Sequence, residues 1–333
     1  MHSFDVRIDV SAAIGASSPQ EVAGTVHLPD DFQPAERQII LFATPGGGYT
    51  RHYFDMRFEG HENYSEAEYH TDRGIVMVAM DHLGVGDSSL DLVDSLTLEQ
   101  AADANSAYVG EILARFAAGT LQQGVPVVTN PFVVGAGQSL GGGVTVVMQS
   151  RSHTFDAIIV LGKSALHTVL PQPTFALFDV QRSIFKFTRC TPLDDLSVKL
   201  TSEMIPDFLY PFHWPDEPKD IIDADMAGGY PIRQAAPNFG SLTVPRFAVA
   251  MMSPAFITPD AARVDVPVLV ACGERDVAPD VRREATAYIN ANDVSIFVVP
   301  RMAHMHNFAP TRQRLWQRSA DWMKMQASAE QGA

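Results

Sequence analysis

Short apolar runs punctuate the chain, and most of them stop at a glycine, a proline or an acidic residue. Residues 4–10 alternate apolar and polar side chains, and residues 21–28 follow after a turn, so the pair predicts two antiparallel strands. Residues 38–43 (Gln-Ile-Ile-Leu-Phe-Ala) and 74–80 are continuously apolar, as strands buried on both faces are. Between and after them the period lengthens. In residues 97–116, Leu98, Ala101, Ala102, Asn105, Tyr108, Ile112 and Phe116 recur near 3.6 and predict an amphipathic helix. Further strands are expected at 132–136, 157–161, 266–272 and 294–299, and a last helix at 311–325 puts Trp316, Ala320 and Met323 on one face. Strands alternating with helices imply a parallel sheet covered on both faces.

The alternation breaks between Lys163 and Ala262. That stretch has no comparable strand run and is rich in proline and aromatic residues, among them Phe175, Phe178, Phe185, Phe187, Phe208, Tyr210, Phe212, Trp214, Tyr230 and Phe239. Because the strand pattern returns afterwards, residues 163–262 are expected to be a mainly helical cap inserted into one α/β core made of 1–162 and 263–333. At least half of these aromatics are expected to be core between cap and sheet; the rest suit a flat or large apolar ligand.

Composition narrows the partners. The formal net charge is −15 over 333 residues, which argues against nucleic acid and against an anionic membrane surface. Neither a secretory leader nor an apolar run of membrane-spanning length is visible, so a cytoplasmic location is the expectation. The two cysteines, Cys190 and Cys272, form no disulfide framework or zinc pattern, and Cys272 sits in an apolar run as a small hydrophobe. No cofactor is expected.

The chemistry centres on Gly137-Gln138-Ser139-Leu140-Gly141. A strand leads into this Gly-x-Ser-x-Gly and a helical run follows. Such a nucleophile sits on a sharp turn, where the positions two before and two after must lack bulk so that strand and helix can approach. Gly135-x-Gly137-x-x-x-Gly141 also approaches a dinucleotide fingerprint. However, the next strand runs into Leu161-Gly162-Lys163, without the acidic residue such a fold needs. Thr44-Pro45-Gly46-Gly47-Gly48-Tyr49 follows the strand at 38–43. Amides of Gly47 or Gly48, with that of Leu140, are the candidate oxyanion donors. Gly46, Tyr49 and Gln138 stand beside them as candidate substrate or supporting contacts, as do Tyr210 and Trp214 in the aromatic segment.

For the acid, Gly273-Glu274-Arg275-Asp276 follows a late strand, and Asp276 is preferred to Glu274. For the base, Pro300-Arg301-Met302-Ala303-His304 follows the last strand, and His304 is preferred to His306, which is expected to support the site or touch substrate. His304-x-His306 has no further ligands at metal-binding spacing, so no metal is expected. His52, His61, His70 and His213 are expected at the surface or in supporting positions.

Together the glycine loop, the elbow, the acid and the histidine, in that order, resemble the α/β-hydrolase superfamily over nearly the whole chain. Asp81-His82-Leu83-Gly84-Val85-Gly86-Asp87-Ser88 resembles the structural Asp-x-x-Gly-x-Gly-x-Ser segment after the fourth strand of such proteins. In the His-Gly-Gly-Gly loop of esterases and lipases, Pro45 stands here where the histidine would be. The segments 10–18, 45–56, 135–143 and 300–308 are further similar to those of actinobacterial zearalenone lactonases. These resemblances imply an α/β-hydrolase fold and a serine hydrolase of a carboxylic ester or lactone, a zearalenone-type macrolactone included. The substrate would be small and apolar or aromatic, and a homodimer fits the habit of the fold. The competing functions are a C–C bond hydrolase, a thioesterase, a cofactor-free haloperoxidase, or a non-catalytic ligand receptor. Enzymes with an elbow aspartate are disfavoured, because Ser139 stands there.

Overall fold

A computed structural model describes residues 1–174, 176–196, 207–229 and 233–329. Phe175 and Tyr230 lie outside the described residues, as does the side chain of Phe178. Eight strands form a single sheet: β1 (His2–Asp9), β2 (Glu21–Leu28), β3 (Gln38–Thr44), β4 (Val76–Met80), β5 (Pro131–Gln138), β6 (Ala157–Leu161), β7 (Val268–Gly273) and β8 (Val294–Val299). Their spatial order is β1-β2-β4-β3-β5-β6-β7-β8. The pairs β1–β2 and β2–β4 are antiparallel, and every pair from β4 to β8 is parallel.

Residue type explains the layers. Alternate residues of the central strands feed two separate cores. Ile40 and Phe42, with Val76 and Val78, join the helix Leu98–Ala118 on one face. Ile39 and Leu41, with Met77 and Ala79, join Trp316, Ala320 and Met323 of the helix Arg312–Ala329 on the other. The helix Leu98–Ala118 starts at a capping box, with the Gln100 amide donating to Thr97 Oγ1 and the Thr97 amide to Gln100 Oε1, both at 3.1 Å. It ends at Gly119, whose φ of 68° is left-handed.

Strand direction sets where a site can form. β4 lies on one side of β3 and β5 on the other, so the connections leaving β3 and β5 diverge at the carboxyl edge. In open α/β sheets, ligands bind in the crevice at such a switch point. The register pairs Thr44 with Gly137, which brings the glycine loop after β3 beside the elbow after β5.

Between β6 and β7 the described residues form no strand of the sheet, only helices, turns and bends. Phe185, Phe212, Phe239 and Phe256 are buried there, whereas Tyr210 and Trp214 are half-buried. Phe247, Ala250, Met251, Phe256, Ile257 and Ala261 lie in the same core cluster as Val144 and Val147 of the helix Leu140–Ser152. The end of the insertion is therefore part of the core layer. Its apolar periodicity resembled that of the cap, and only the packing distinguishes the two. No described helix is long and apolar enough to cross a membrane.

Two glycine substitutions test this account through thermal melts. A Cβ at Gly110, inside the helix Leu98–Ala118, would meet nothing within 4 Å. Gly110→Ala is expected to stabilise by about 0.5–1 kcal/mol. A Cβ at Gly137 would stand 2.2 Å from the backbone carbonyl of Gly141, so Gly137→Ala is expected to lower the melting temperature markedly.

Candidate active site

Ser139 stands at the junction of β5 and the helix Leu140–Ser152, with φ 53° and ψ −110°. A non-glycine residue in that region costs about 1–3 kcal/mol and persists only where its surroundings enforce it. Here the Ser139 amide donates to the Leu161 carbonyl at 2.7 Å, and the Ser139 carbonyl accepts from the Gly143 amide at 3.2 Å. The hydroxyl makes no capping bond to the helix. The flanking glycines are needed for space. A Cβ at Gly141 would lie 2.3 Å from the Thr44 carbonyl oxygen, just as one at Gly137 would strike Gly141.

Three expected residues meet at this point. Ser139 Oγ is 2.9 Å from His304 Nε2, and His304 Nδ1 is 2.6 Å from Asp276 Oδ1. The carboxylate accepts, so Nδ1 carries the proton and Nε2 of the neutral ring accepts from the serine. His306 takes a different place: its Nε2 donates to Asp276 Oδ2 at 2.7 Å. Asp276 also accepts from the amides of Gly273 at 2.8 Å and Val277 at 2.7 Å. Burial alone would raise its pKa, but its electrostatic interactions and hydrogen bonds with His304 and His306 hold it well below the usual carboxylate range. Glu274 points elsewhere, accepting from the Arg301 amide.

The histidine-bearing loop is pinned on several sides. Its His304 and Met305 amides donate to the Pro211 and Phe212 carbonyls, each at 3.0 Å. The His304 carbonyl accepts from Gln138 Nε2 at 3.0 Å. Asn307 bridges Glu66 Oε2 and Trp316 Nε1, at 2.8 and 2.9 Å. Gln138 thus has a supporting role, and a Cβ at Gly46 would lie 2.0 Å from its Oε1.

The glycine loop is a turn. The Tyr49 amide donates to the Gly46 carbonyl at 3.2 Å, and Gly48 has φ 84°, as the third residue of a type II turn requires. The carbonyls of Pro45, Gly46 and Gly48 each have a partner. Pro45 O receives His82 Nε2 at 3.1 Å, while His82 Nδ1 accepts from Asn105 Nδ2 at 3.0 Å. Burial pushes His82 down to about 4, which keeps this linking ring neutral. Gly48 O receives the Ser241 amide at 2.9 Å and Arg233 Nη1. With the carbonyls engaged, the amides of Gly47, Gly48 and Leu140 meet no acceptor among the described residues. A Cβ at Gly47 would contact Val244 and Leu140, whereas one at Gly46 would lie 3.3 Å from Ser139 Cβ.

Other expected contacts fall elsewhere. Tyr49 is fully buried and donates its hydroxyl to Asp225, at 2.7 and 2.9 Å from the two carboxylate oxygens. Tyr210 and Trp214 hold the Arg275 guanidinium, 4.0 and 4.9 Å from their ring centres. His70 and His213, expected at the surface or in support, are both buried. His213 lies between Glu217 Oε2 at 2.6 Å and Asp225 Oδ2 at 3.0 Å, and Asp225 Oδ1 also receives Arg233 Nη2 at 2.8 Å. Asp225, Glu217 and Arg233 escaped sequence reasoning, since scattered charges in an irregular segment carry no periodic signal. Asp81 acts structurally, receiving the Arg51 amide and Arg51 Nη1, both at 2.6 Å. No group of metal-ligating side chains occurs among the described residues.

A sheet of this order, an elbow serine and a glycine loop at the switch point define the α/β-hydrolase class. The chain belongs to the alpha/beta hydrolase family, whose model matches residues 40–313. A thermophilic esterase from Thermogutta terrifontis superposes with a TM-score of 0.59 at 15% identity, over 97% of this chain and 99% of that one. The peroxisomal alpha-beta-hydrolase Lpx1 of Saccharomyces cerevisiae gives 0.59 at 11%, over 97% and 89%. A proline iminopeptidase from Mycobacterium smegmatis gives 0.57 at 16%, over 93% and 97%. At these identities the likeness is one of fold. No curated protein matches the chain in sequence.

The buried charges make a test by pH. Burial alone would lower the His213 pKa, but its hydrogen bonds to Asp225 and Glu217 raise it to about 9. The ring also meets the edge of Phe308, and its carbonyl accepts from Arg275. A raised pKa means that the stabilisation is whole below the unfolded value of 6.5 and is lost as the pH rises through about 9. Thermal melts across that window should show the gap between wild type and His213→Gln narrowing with rising pH.

Proposed function

We propose that this protein hydrolyses a carboxylic ester or lactone through an acyl-enzyme on Ser139, with His304 as base and Asp276 as the acid that orients it. The observation that carries this reading is the continuous hydrogen-bonded relay from Ser139 Oγ through both ring nitrogens of His304 to the buried Asp276. It puts the serine proton within reach of the ring nitrogen that would take it.

The steps follow from the groups in place. Ser139 Oγ attacks the carbonyl carbon while its proton passes to His304 Nε2. The developing oxyanion falls to the amides of Leu140 and of Gly47 or Gly48. Asp276 steadies the imidazolium, which then returns the proton to the departing alkoxide. In a lactone that alkoxide stays tethered as the hydroxyl end of the opened ring. Water, activated by the same ring, then releases the acid and restores Ser139. His306 shares Asp276 with His304 and is read as support for the acid rather than as the base.

A zearalenone-type macrolactone is included among the proposed substrates on the resemblance read in the segments 10–18, 45–56, 135–143 and 300–308. Buried aromatics such as Phe212, whose ring centre lies 5.8 Å from that of His304, suit an apolar acyl group.

A p-nitrophenyl ester should give a burst of p-nitrophenol and an acyl adduct on Ser139 visible by intact mass. Ser139→Ala and His304→Ala should each lose at least ~10³-fold in kcat, since such residues act as a unit. Activity surviving in His304→Ala but lost in His306→Ala would reverse the assignment of the base. Hydrolysis of zearalenone measured beside a panel of simple esters tests the lactone preference, and turnover of the esters alone would remove it.

A further inference from the structure

The oxyanion loop belongs to the core, yet part of what holds it comes from the inserted segment. Arg233 donates from Nη1 to the Gly48 carbonyl and from Nη2 to Asp225 Oδ1 at 2.8 Å and to the Asp225 carbonyl at 3.0 Å. Tyr49, the residue after Gly48, donates its hydroxyl to the same carboxylate. Asp225 therefore grips the loop at two adjacent residues, once through a guanidinium and once through a phenol.

The grip sits in a place that makes it strong. The side chains of Asp225, Arg233 and Glu217 are fully buried, and that of His213 is 2% exposed. Two acidic and two basic groups are thus removed from water together, and each would be costly there alone. Glu217 also accepts from the Trp214 amide at 2.8 Å, which fixes the far end of the cluster. The Gly48 carbonyl is bonded into this buried assembly through Arg233. The Gly48 carbonyl shares a rigid peptide plane with the Tyr49 amide, that amide bonds the Gly46 carbonyl, and the Gly46 carbonyl shares its own plane with the Gly47 amide.

We propose that Asp225, acting through Arg233 and Tyr49, is the positioning residue that holds the oxyanion loop in its donor geometry. It rests on the ester-hydrolysis reading above. Oxyanion donors contribute only if they are aimed before the charge develops. Loss of the grip should then weaken transition-state stabilisation and leave ground-state binding almost intact. Ser241, whose amide also reaches the Gly48 carbonyl, keeps the loop present but less constrained.

The test combines titration of Ser139 by a fluorophosphonate with steady-state hydrolysis of a p-nitrophenyl ester. In Asp225→Asn, kcat per titrated serine should fall ~10–100-fold while KM changes less than ~3-fold, and inhibition by a trifluoromethyl ketone should weaken in step with kcat/KM. Arg233→Lys should fall between wild type and Arg233→Met. Tyr49→Phe removes one hydrogen bond and no charge, so it should fold even if Asp225→Asn does not, with kcat per titrated serine lowered ~3–10-fold. A merely structural role would lower the titratable fraction and leave kcat per serine unchanged, and that result overturns the proposal. So does a loss confined to KM. A wild type that the fluorophosphonate never labels would instead remove the hydrolase reading and this inference with it.

Discussion

The Asp276 carboxylate is the point on which the site depends. It is buried and accepts from two backbone amides and two imidazoles. An ionised carboxylate so far from water is tolerable only because every direction of approach holds a donor. Satisfying it therefore fixes the loops that bring those donors. The Gly273 and Val277 amides set the path after β7, and the two histidines set the path after β8. The strained turn at Ser139, built on the far side of β6, is then met by His304 Nε2 at hydrogen-bonding distance.

Strain and close approach complete one another at the elbow. The positive φ of Ser139 keeps its hydroxyl off the helix N-terminus, where a serine would ordinarily cap. Gly137 and Gly141 let the strand and helix pass close enough to enforce that backbone. The same absence of side chains lets the loop after β3 lie against the helix start. Three elements that are distant in sequence thus converge without any flexible group between them.

Much of this was legible in the residues. The strands at Glu21–Leu28, Ala157–Leu161 and Val294–Val299 have the bounds expected from the residues, and Ala157–Leu161, buried along its whole length, is an uninterrupted apolar run. Spacing and strand ends brought Ser139, Asp276 and His304 forward as candidates, and the three side chains lie within hydrogen-bonding distance in series. The core contribution of residues 247–261 was hidden, since short apolar helices look alike whether they roof a site or floor a sheet. Hidden too were the partners of buried charge. That Arg233 would meet Gly48, or Asp225 meet Tyr49, depends on how an irregular chain folds back on itself, and no local pattern encodes it.

The contact between Arg233 and the Gly48 carbonyl bears on how such a protein can diverge. Insertions in this fold are often pictured as interchangeable lids, free to be swapped for new specificity while the chemical machinery stays put. Here a segment exchanged without its arginine and aspartate would strip a buried partner from the glycine loop after β3. Tyr49 would lose the carboxylate that its hydroxyl now meets. On the positioning role proposed for Asp225, specificity and rate are tied to one segment, and changes there must keep two ionic residues whose side chains are fully buried.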